Sequence, residues 1–214
     1  MPSITIGIIG AGRVGSAIAT GFATTAHAVV VGTRDGTRPA GWKGPETVVF
    51  ASHRDTARGS DVIFHATPGD TAVDRLGALR AELAGKVLVD ISNALRPPHD
   101  DEPETLIYPN SSLAEHLQQA LPDTHVVKAL NTMMSTVMTN PKVLSAPPSV
   151  YLSGNDEQAK RTVAGLLGEV GWQEDWIVDL GDVRTARGPE AFLLFVPQII
   201  RINGFVPFAM TLVY

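Results

Sequence analysis

The feature that most constrains this chain is a glycine cluster set directly behind an apolar run. Ile4-Thr5-Ile6-Gly7-Ile8-Ile9 is short, apolar and β-branched, the pattern of a buried strand. Gly10-Ala11-Gly12-Arg13-Val14-Gly15 follows at once, and Arg13 to Ala23 then places Val14, Ala17, Ile18 and Gly21 on one helical face. Strand, glycine turn and helix in this order form the start of a βαβ unit that cradles a pyrophosphate. Gly10 permits the tight turn, Gly12 lets the backbone approach the phosphates, and Gly15 lets the helix pack close to the strand. The free N–H groups at the helix start supply a partial positive charge.

The rest of the chain repeats the alternation. Strands are predicted at 28–31, 47–50, 62–66, 87–91, 125–129, 150–153 and 173–178. Helical segments are predicted at 55–59, 70–83, 111–120 and 156–167, with a final helical region from Asp182. Ser112 and Glu115 have the spacing of a capping box. Alternating strands and helices imply right-handed crossovers and a parallel sheet. The fold class is therefore α/β: a Rossmann-type doubly wound parallel sheet with a small mixed C-terminal domain. Composition shifts near Pro141 to Pro148, which divides the chain into residues 1–145, the nucleotide-binding domain, and 146–214.

The strand tips carry the candidate chemistry, because ligands bind at the carboxyl edge of such sheets. The second strand runs into Gly32-Thr33-Arg34-Asp35, with Arg38 beyond. A guanidinium and a hydroxyl at this tip suit the 2′-phosphate of NADP; if Asp35 rather than Arg34 faced the ribose, NAD would be preferred. The fourth strand leads through His65 to Ala66-Thr67-Pro68-Gly69, which would border the path to the nicotinamide. His65 reads either as a histidine on a sheet face or as a polar group near the pocket. The sixth strand leads to Asn131-Thr132-Met133-Met134, which suits a flat ring, or else Met133 and Met134 belong to a helix core.

Composition narrows the function further. Seventeen Lys and Arg stand against 22 Asp and Glu, a net charge of −5, so there is no basic surplus for nucleic acid. Cysteine is absent, which excludes disulfides and thiol chemistry and fits a cytoplasmic protein. His27, His53, His65, His99, His116 and His125 are scattered with no metal-ligand spacing, and Asp100, Asp101, Glu102 and Glu104 read as a solvated loop. From Ala191 to Tyr214 the only charge is Arg201, but Pro197, Asn203, Gly204 and Pro207 interrupt the stretch. A buried helical pair is expected there, with part of the tail at a homodimer contact, and no membrane span. No metal and no catalytic acid or base are expected, since Thr67, Pro68, Asn131, Thr132, Met133 and Met134 do not titrate near neutral pH. The chemistry then belongs to a cofactor.

The chain resembles the coenzyme F420-dependent NADP oxidoreductases, the NADPH-dependent deazaflavin reductases. The resemblance covers essentially the whole length. It rests on Gly10 to Gly15, Gly32-Thr33-Arg34, Ala66-Thr67-Pro68, Val126 to Thr132, Ser153-Gly154-Asn155-Asp156, Val178 to Gly181 and the tail Ile199 to Gly204. It implies NADP along the first domain and coenzyme F420 stacked on the nicotinamide in a cleft beside the second, with hydride passing between nicotinamide C4 and deazaflavin C5. By position it implies that Gly10, Ala11, Gly12, Arg13, Val14 and Gly15 hold the pyrophosphate, and Thr33, Arg34 and Arg38 the 2′-phosphate. Ala66, Thr67, Pro68, Asn131, Met133 and Ser135 would line the rest. Relatives of that family include proteins with a flavin or an unknown acceptor, among them the cytosolic domains of membrane metalloreductases. The function classes that follow are hydride transfer between NADP(H) and a deazaflavin or similar ring; reduction of a flavin, quinone-like or imine substrate; or non-catalytic NADP sensing.

Overall fold

The computed structural model of the 214-residue chain describes residues 2–96 and 104–212. The expected apolar strands join one sheet because each is flanked by helices that cover both faces. In chain order the elements begin β1 (Thr5–Ile9), α1 (Arg13–Phe22), β2 (Ala28–Thr33), β3 (Val49–Ser52), α2 (His53–Gly59) and β4 (Val62–His65). They continue α3 (Ala72–Gly77), α4 (Arg80–Leu83), β5 (Val87–Asp90), β6 (Leu95–Arg96), β7 (Thr105–Leu106), α5 (Leu113–Ala120) and β8 (His125–Lys128). The last are α6 (Ser135–Met138), β9 (Val150–Gly154), α7 (Glu157–Glu169), β10 (Ile177–Gly181), α8 (Arg187–Ala191) and α9 (Val196–Asn203).

The main sheet has the order β10-β9-β8-β5-β4-β1-β2-β3, and β6 and β7 form a separate antiparallel pair. All main-sheet pairings are parallel except β8 with β9. The chain winds outward from β1 through β2 to β3, then crosses back to β4 and winds the other way, so the order reverses between β1 and β4. That reversal is where the carboxyl ends of the strands open a crevice. Beyond residue 145, β9 and β10 continue the same sheet, β9 by pairing with β8.

Alternation along the strands sorts the core into two layers. Ile6, Ile8, Phe64, Val89 and Val127 face α1, α6 and α7. Ile9, Ile63, Leu88 and Val126 face α2, α3 and α5. The capping box forms: Ser112 Oγ accepts from the Glu115 N–H at 3.2 Å and donates to the Glu115 carboxylate at 2.9 Å.

Three expectations need correction. The helix expected over 70–83 is broken into a 3₁₀ turn at Gly69–Thr71 and then α3 and α4, interrupted at Ala78 and Leu79. The strand expected over 173–178 opens with a 3₁₀ turn at Glu174–Trp176, and β10 starts only at Ile177. The apolar tail is not a buried helical pair. No residue of α9 is buried, and Phe195, Ile202 and Phe205 are 65%, 70% and 75% exposed. The reason is geometric: the sheet already has its covering layers, and the tail lies outside them. It is tied down by main-chain bonds from Met134 N–H to Phe208 C=O and from Met210 N–H to Thr132 C=O. Among the described residues no helix is long and apolar enough to cross a membrane, and none form a group able to hold a metal ion. His99, Asp100, Asp101 and Glu102 lie outside the described residues.

Candidate active site

The glycine turn is built as its spacing requires. Gly10 has φ 116°, and a Cβ there would come within 2.6 Å of the Ala66 carbonyl oxygen. A Cβ on Gly15 would overlap the Gly10 carbonyl. Gly12 is different: a Cβ there meets nothing within 4 Å. It caps α1 without a side-chain hydrogen bond, which leaves the first N–H groups of the helix without a capping side chain. A cleft of about 320 Å³ lies over this turn at the strand-order reversal, bounded by Gly12, Arg13 and Val14 on one side and Ala66, Thr67 and Pro68 on the other. Ile91, Ser92 and Asn93, after β5, close its far end. An open backbone cradle at a helix N-terminus fits a dinucleotide pyrophosphate.

At the tip of β2, Thr33 is buried and Arg34 exposed. The Asp35 carboxylate is turned onto its own loop, accepting from Thr37 N–H at 3.1 Å and Thr33 Oγ1 at 3.3 Å. The Thr37 hydrogen bonds hold its carboxyl below the usual range. The acid at this tip is thus occupied by its own turn. Arg38 holds the loop instead of reaching over it: Nη2 donates to Glu46 C=O at 2.6 Å, and the guanidinium stacks 5.4 Å from the Phe50 ring centre. Sequence reasoning missed His53, which packs beside Gly32. Burial, then the charges of Arg75 and Arg34, push its imidazole below the ordinary value. Its position directly after a strand end, at Ser52-His53, is the signal that could have found it.

The carboxyl ends of β4, β5 and β8 carry a row of polar side chains inside the protein. His65 pairs in register with Asp90, and Asp90 with Lys128. All three are fully buried. His65 Nδ1 lies 2.9 Å from Asp90 Oδ1, and His65 Nε2 lies 2.6 Å from Thr67 Oγ1 in the cleft wall. Asp90 Oδ1 also accepts from Ser92 N–H and Oγ, and Oδ2 accepts from Lys128 Nζ at 2.8 Å. Lys128 Nζ gives its other protons to Ser92 C=O at 2.6 Å and Glu190 Oε1 at 3.1 Å. Glu190 in turn accepts from the N–H groups of Leu113 and Ala114 at the start of α5. Burial alone would raise the Asp90 carboxyl, but the Lys128 charge and the His65 hydrogen bond outweigh it and hold the group well below the carboxylate range. Burial likewise works against the Lys128 ammonium, and Asp90 and Glu190 reverse it, raising that group.

After β8 the chain turns sharply. Leu130 is buried with φ 61°, a left-handed conformation that costs a non-glycine residue about 1–3 kcal/mol. The turn brings Asn131 inward, where its side-chain amide donates to Asn93 Oδ1 at 3.1 Å and Pro189 C=O at 3.0 Å. Asn131 thus ties the ends of β5 and β8 to α8. Met133 is buried and bridges Ala209 of the tail, and Ser135 opens α6. These three are buried and do not line the cleft, whose wall is shared by Gly12, Arg13, Val14, Ala66, Thr67 and Pro68.

Residues 5–94 match the family described as NADP oxidoreductase, coenzyme F420-dependent. Over nearly its whole length the chain is also similar to a crystal structure of a candidate F420-dependent NADP reductase from Arthrobacter sp. FB24: 35% identity, TM-score 0.89, covering 99% of this chain and all of that one. The chain belongs to the coenzyme F420-dependent NADP oxidoreductases. It is an NADP-linked oxidoreductase of the Rossmann type. It is 28% identical over 159 residues to the F420-dependent NADP reductase of Methanocaldococcus jannaschii, covering 73% of this chain and 68% of that protein. It is also 30% identical over 210 residues to Metalloreductase STEAP3 of Rattus norvegicus, covering 95% of this chain but only 40% of that longer protein.

Proposed function

We propose that this protein transfers a hydride between NADP(H) and a deazaflavin of the coenzyme F420 type. The observation that carries this is the cleft at the strand-order reversal, with Gly12 open on one wall and Thr67 on the other, in a chain whose family pairs NADP with F420. When bound, the two rings supply the redox chemistry, one giving the hydride and the other taking it. The chain supplies position. Gly10, Ala11, Gly12, Arg13, Val14 and Gly15 hold the pyrophosphate. Arg34, beside Thr33, takes the 2′-phosphate, with Asp35 occupied in its own turn and Arg38 holding the loop.

Ala66, Thr67 and Pro68 flank the nicotinamide, and Asn131, Met133 and Ser135 support that end from behind. Residues 1–145 bind the nucleotide, and 146–214 complete the second-substrate side. The exposed apolar tail meets a second copy, which makes the working unit a homodimer. The absence of cysteine fits the cytoplasm.

A second reading, delivery to another acceptor, has one observation in its favour: the match to a metalloreductase over 95% of the chain. The test is NADPH oxidation with F420, FMN and menadione in parallel, and NADH as the control donor. We expect F420 to exceed FMN in kcat/KM by at least about tenfold, a barrier difference of about 1.4 kcal/mol. Preference for FMN or menadione would favour the second reading, and NADPH binding without turnover would favour a sensor.

A further inference from the structure

We propose that Thr67 is a catalytic residue that delivers a proton into the cleft, with His65 and Asp90 as the residues that position and load it. This rests on the hydride-transfer reading above. The stoichiometry demands such a source: NADPH, a two-electron ring acceptor and one proton give NADP⁺ and the dihydro acceptor. The hydride carries the two electrons, and the proton must come from elsewhere.

Hydrogen-bond accounting fixes the direction of every bond but one. Asp90 is held as a carboxylate and is an acceptor only, so His65 Nδ1 carries a proton in every state of the ring. Arg75 Nη1 lies 2.8 Å from Thr67 Oγ1, and a guanidinium can only donate. What remains is the contact between His65 Nε2 and Thr67 Oγ1 at 2.6 Å. With Nε2 bare, the Thr67 hydroxyl must donate inward to it. With Nε2 protonated, His65 donates to Oγ1, which already accepts from Arg75, and the Thr67 hydroxyl hydrogen is released toward the cleft that Thr67 lines. The protonation of a buried ring thereby decides whether the cleft is offered a donor.

Delivery follows from the second state. The Thr67 O–H bond breaks with its electron pair left on oxygen, and its proton passes to the acceptor. A new O–H bond forms with the His65 Nε2 proton, whose bonding pair stays on nitrogen. The ring is left neutral, still protonated at Nδ1. His65 has no solvent exposure, so it reloads through Thr67, which is half-buried and lines the open cleft.

The charged surroundings suit both states. Asp90 of β5 and Glu190 of α8 oppose Lys128 of β8, so the buried cluster holds two carboxylates against one ammonium until Nε2 is protonated. From the other side face Arg75 of α3, bonded to Thr67, and His53 of α2, which shares electrostatic coupling with His65, Arg75 and Arg34.

The experiment combines a spectroscopic and a kinetic arm. In ¹⁵N-histidine spectra of the free protein, neutral His65 should be protonated at Nδ1 and bare at Nε2; the opposite tautomer overturns the proposal. For wild type, Thr67→Val, Thr67→Ser and His65→Gln, NADPH binding is measured by calorimetry and F420 reduction is followed across neutral pH. Thr67→Val should bind NADPH within about tenfold of wild type but lose about a hundredfold in kcat, the low end of positioned proton transfer. Thr67→Ser should recover most of that loss. His65→Gln should lower kcat to about the level of Thr67→Val, and the double variant should lose no more than either alone, because both break one relay. A Val variant with wild-type kcat, or a Gln variant that loses nothing, overturns the relay. Wild type that binds NADPH yet reduces none of F420, FMN and menadione overturns the hydride-transfer reading instead; the His65 tautomer then still decides the relay's geometry.

Discussion

His65 and Asp90 stand in register at the ends of adjacent parallel strands, Nδ1 2.9 Å from Oδ1, with no solvent exposure on either side chain. A buried carboxylate of this kind is tolerable because both oxygens are hydrogen-bonded. Oδ1 receives His65 and the Ser92 N–H and hydroxyl, and Oδ2 receives the Lys128 ammonium. The dependence on these few donors makes the site sensitive to loss of any one member.

Asp90→Asn should therefore destabilise the protein at neutral pH by about 3–5 kcal/mol, because Lys128 is left buried without its nearest counter-charge. The sign with pH follows from linkage. Asp90 titrates lower in the folded than in the unfolded chain, so its stabilisation is fully present above the ordinary carboxylate value and is lost as pH falls toward its lowered value. Urea unfolding should show a gap between wild type and variant that is largest at neutral pH and narrows in acid. A gap independent of pH would mean that the Asp90 charge contributes nothing.

Arg34→Ala should weaken NADPH binding by about 1.5–3 kcal/mol, the worth of a charge-assisted hydrogen bond, and leave NADH nearly unchanged. Calorimetry with both nucleotides checks this. Equal losses would show that Arg34 does not reach the 2′-phosphate.

The glycines separate folding from binding. Gly12 has open space around its missing Cβ, so Gly12→Ala should cost less than about 1 kcal/mol of stability while weakening NADPH binding at least about tenfold, a loss near 1.4 kcal/mol. Gly15→Ala drives a methyl into the Gly10 carbonyl and should cost about 2–3 kcal/mol of stability. Thermal unfolding beside NADPH titration distinguishes them, and identical behaviour of the two variants would contradict the cradle.

Much of this was legible in sequence because it is local. The strand, glycine turn and helix from Thr5 to Phe22 are contiguous, and their spacing is their mechanism. The row His65, Asp90, Lys128 was not, since residues 25 and 38 positions apart become neighbours only once β4, β5 and β8 are adjacent. A trace of it does exist in the sequence: Val-Ile-Phe-His, Val-Leu-Val-Asp and His-Val-Val-Lys each end an apolar strand on a titratable residue. The tail misled because apolar content reports a need for burial and not what provides it. The turn of Asp35 onto Thr37 depends on loop geometry that composition does not encode.

That tail gives a further expectation. Ile202→Glu with Phe205→Glu should abolish self-association at micromolar concentration while leaving the unfolding transition cooperative, because both side chains are more than two-thirds exposed within one chain. Sedimentation velocity decides it, and a wild-type protein that is monomeric under the same conditions would contradict the homodimer.

The central claim is direct hydride transfer between NADP(H) and a ring acceptor held in the cleft between Gly12 and Thr67. The most direct measurement uses NADPH deuterated at nicotinamide C4, in separate samples for each face of the ring, with F420 as acceptor in ordinary water. The account predicts that with one of the two labelled forms the deuterium is recovered at C5 of the reduced deazaflavin, and that none of it appears in water. Label released to solvent from both forms, or F420 left oxidised while NADPH is bound, would contradict it.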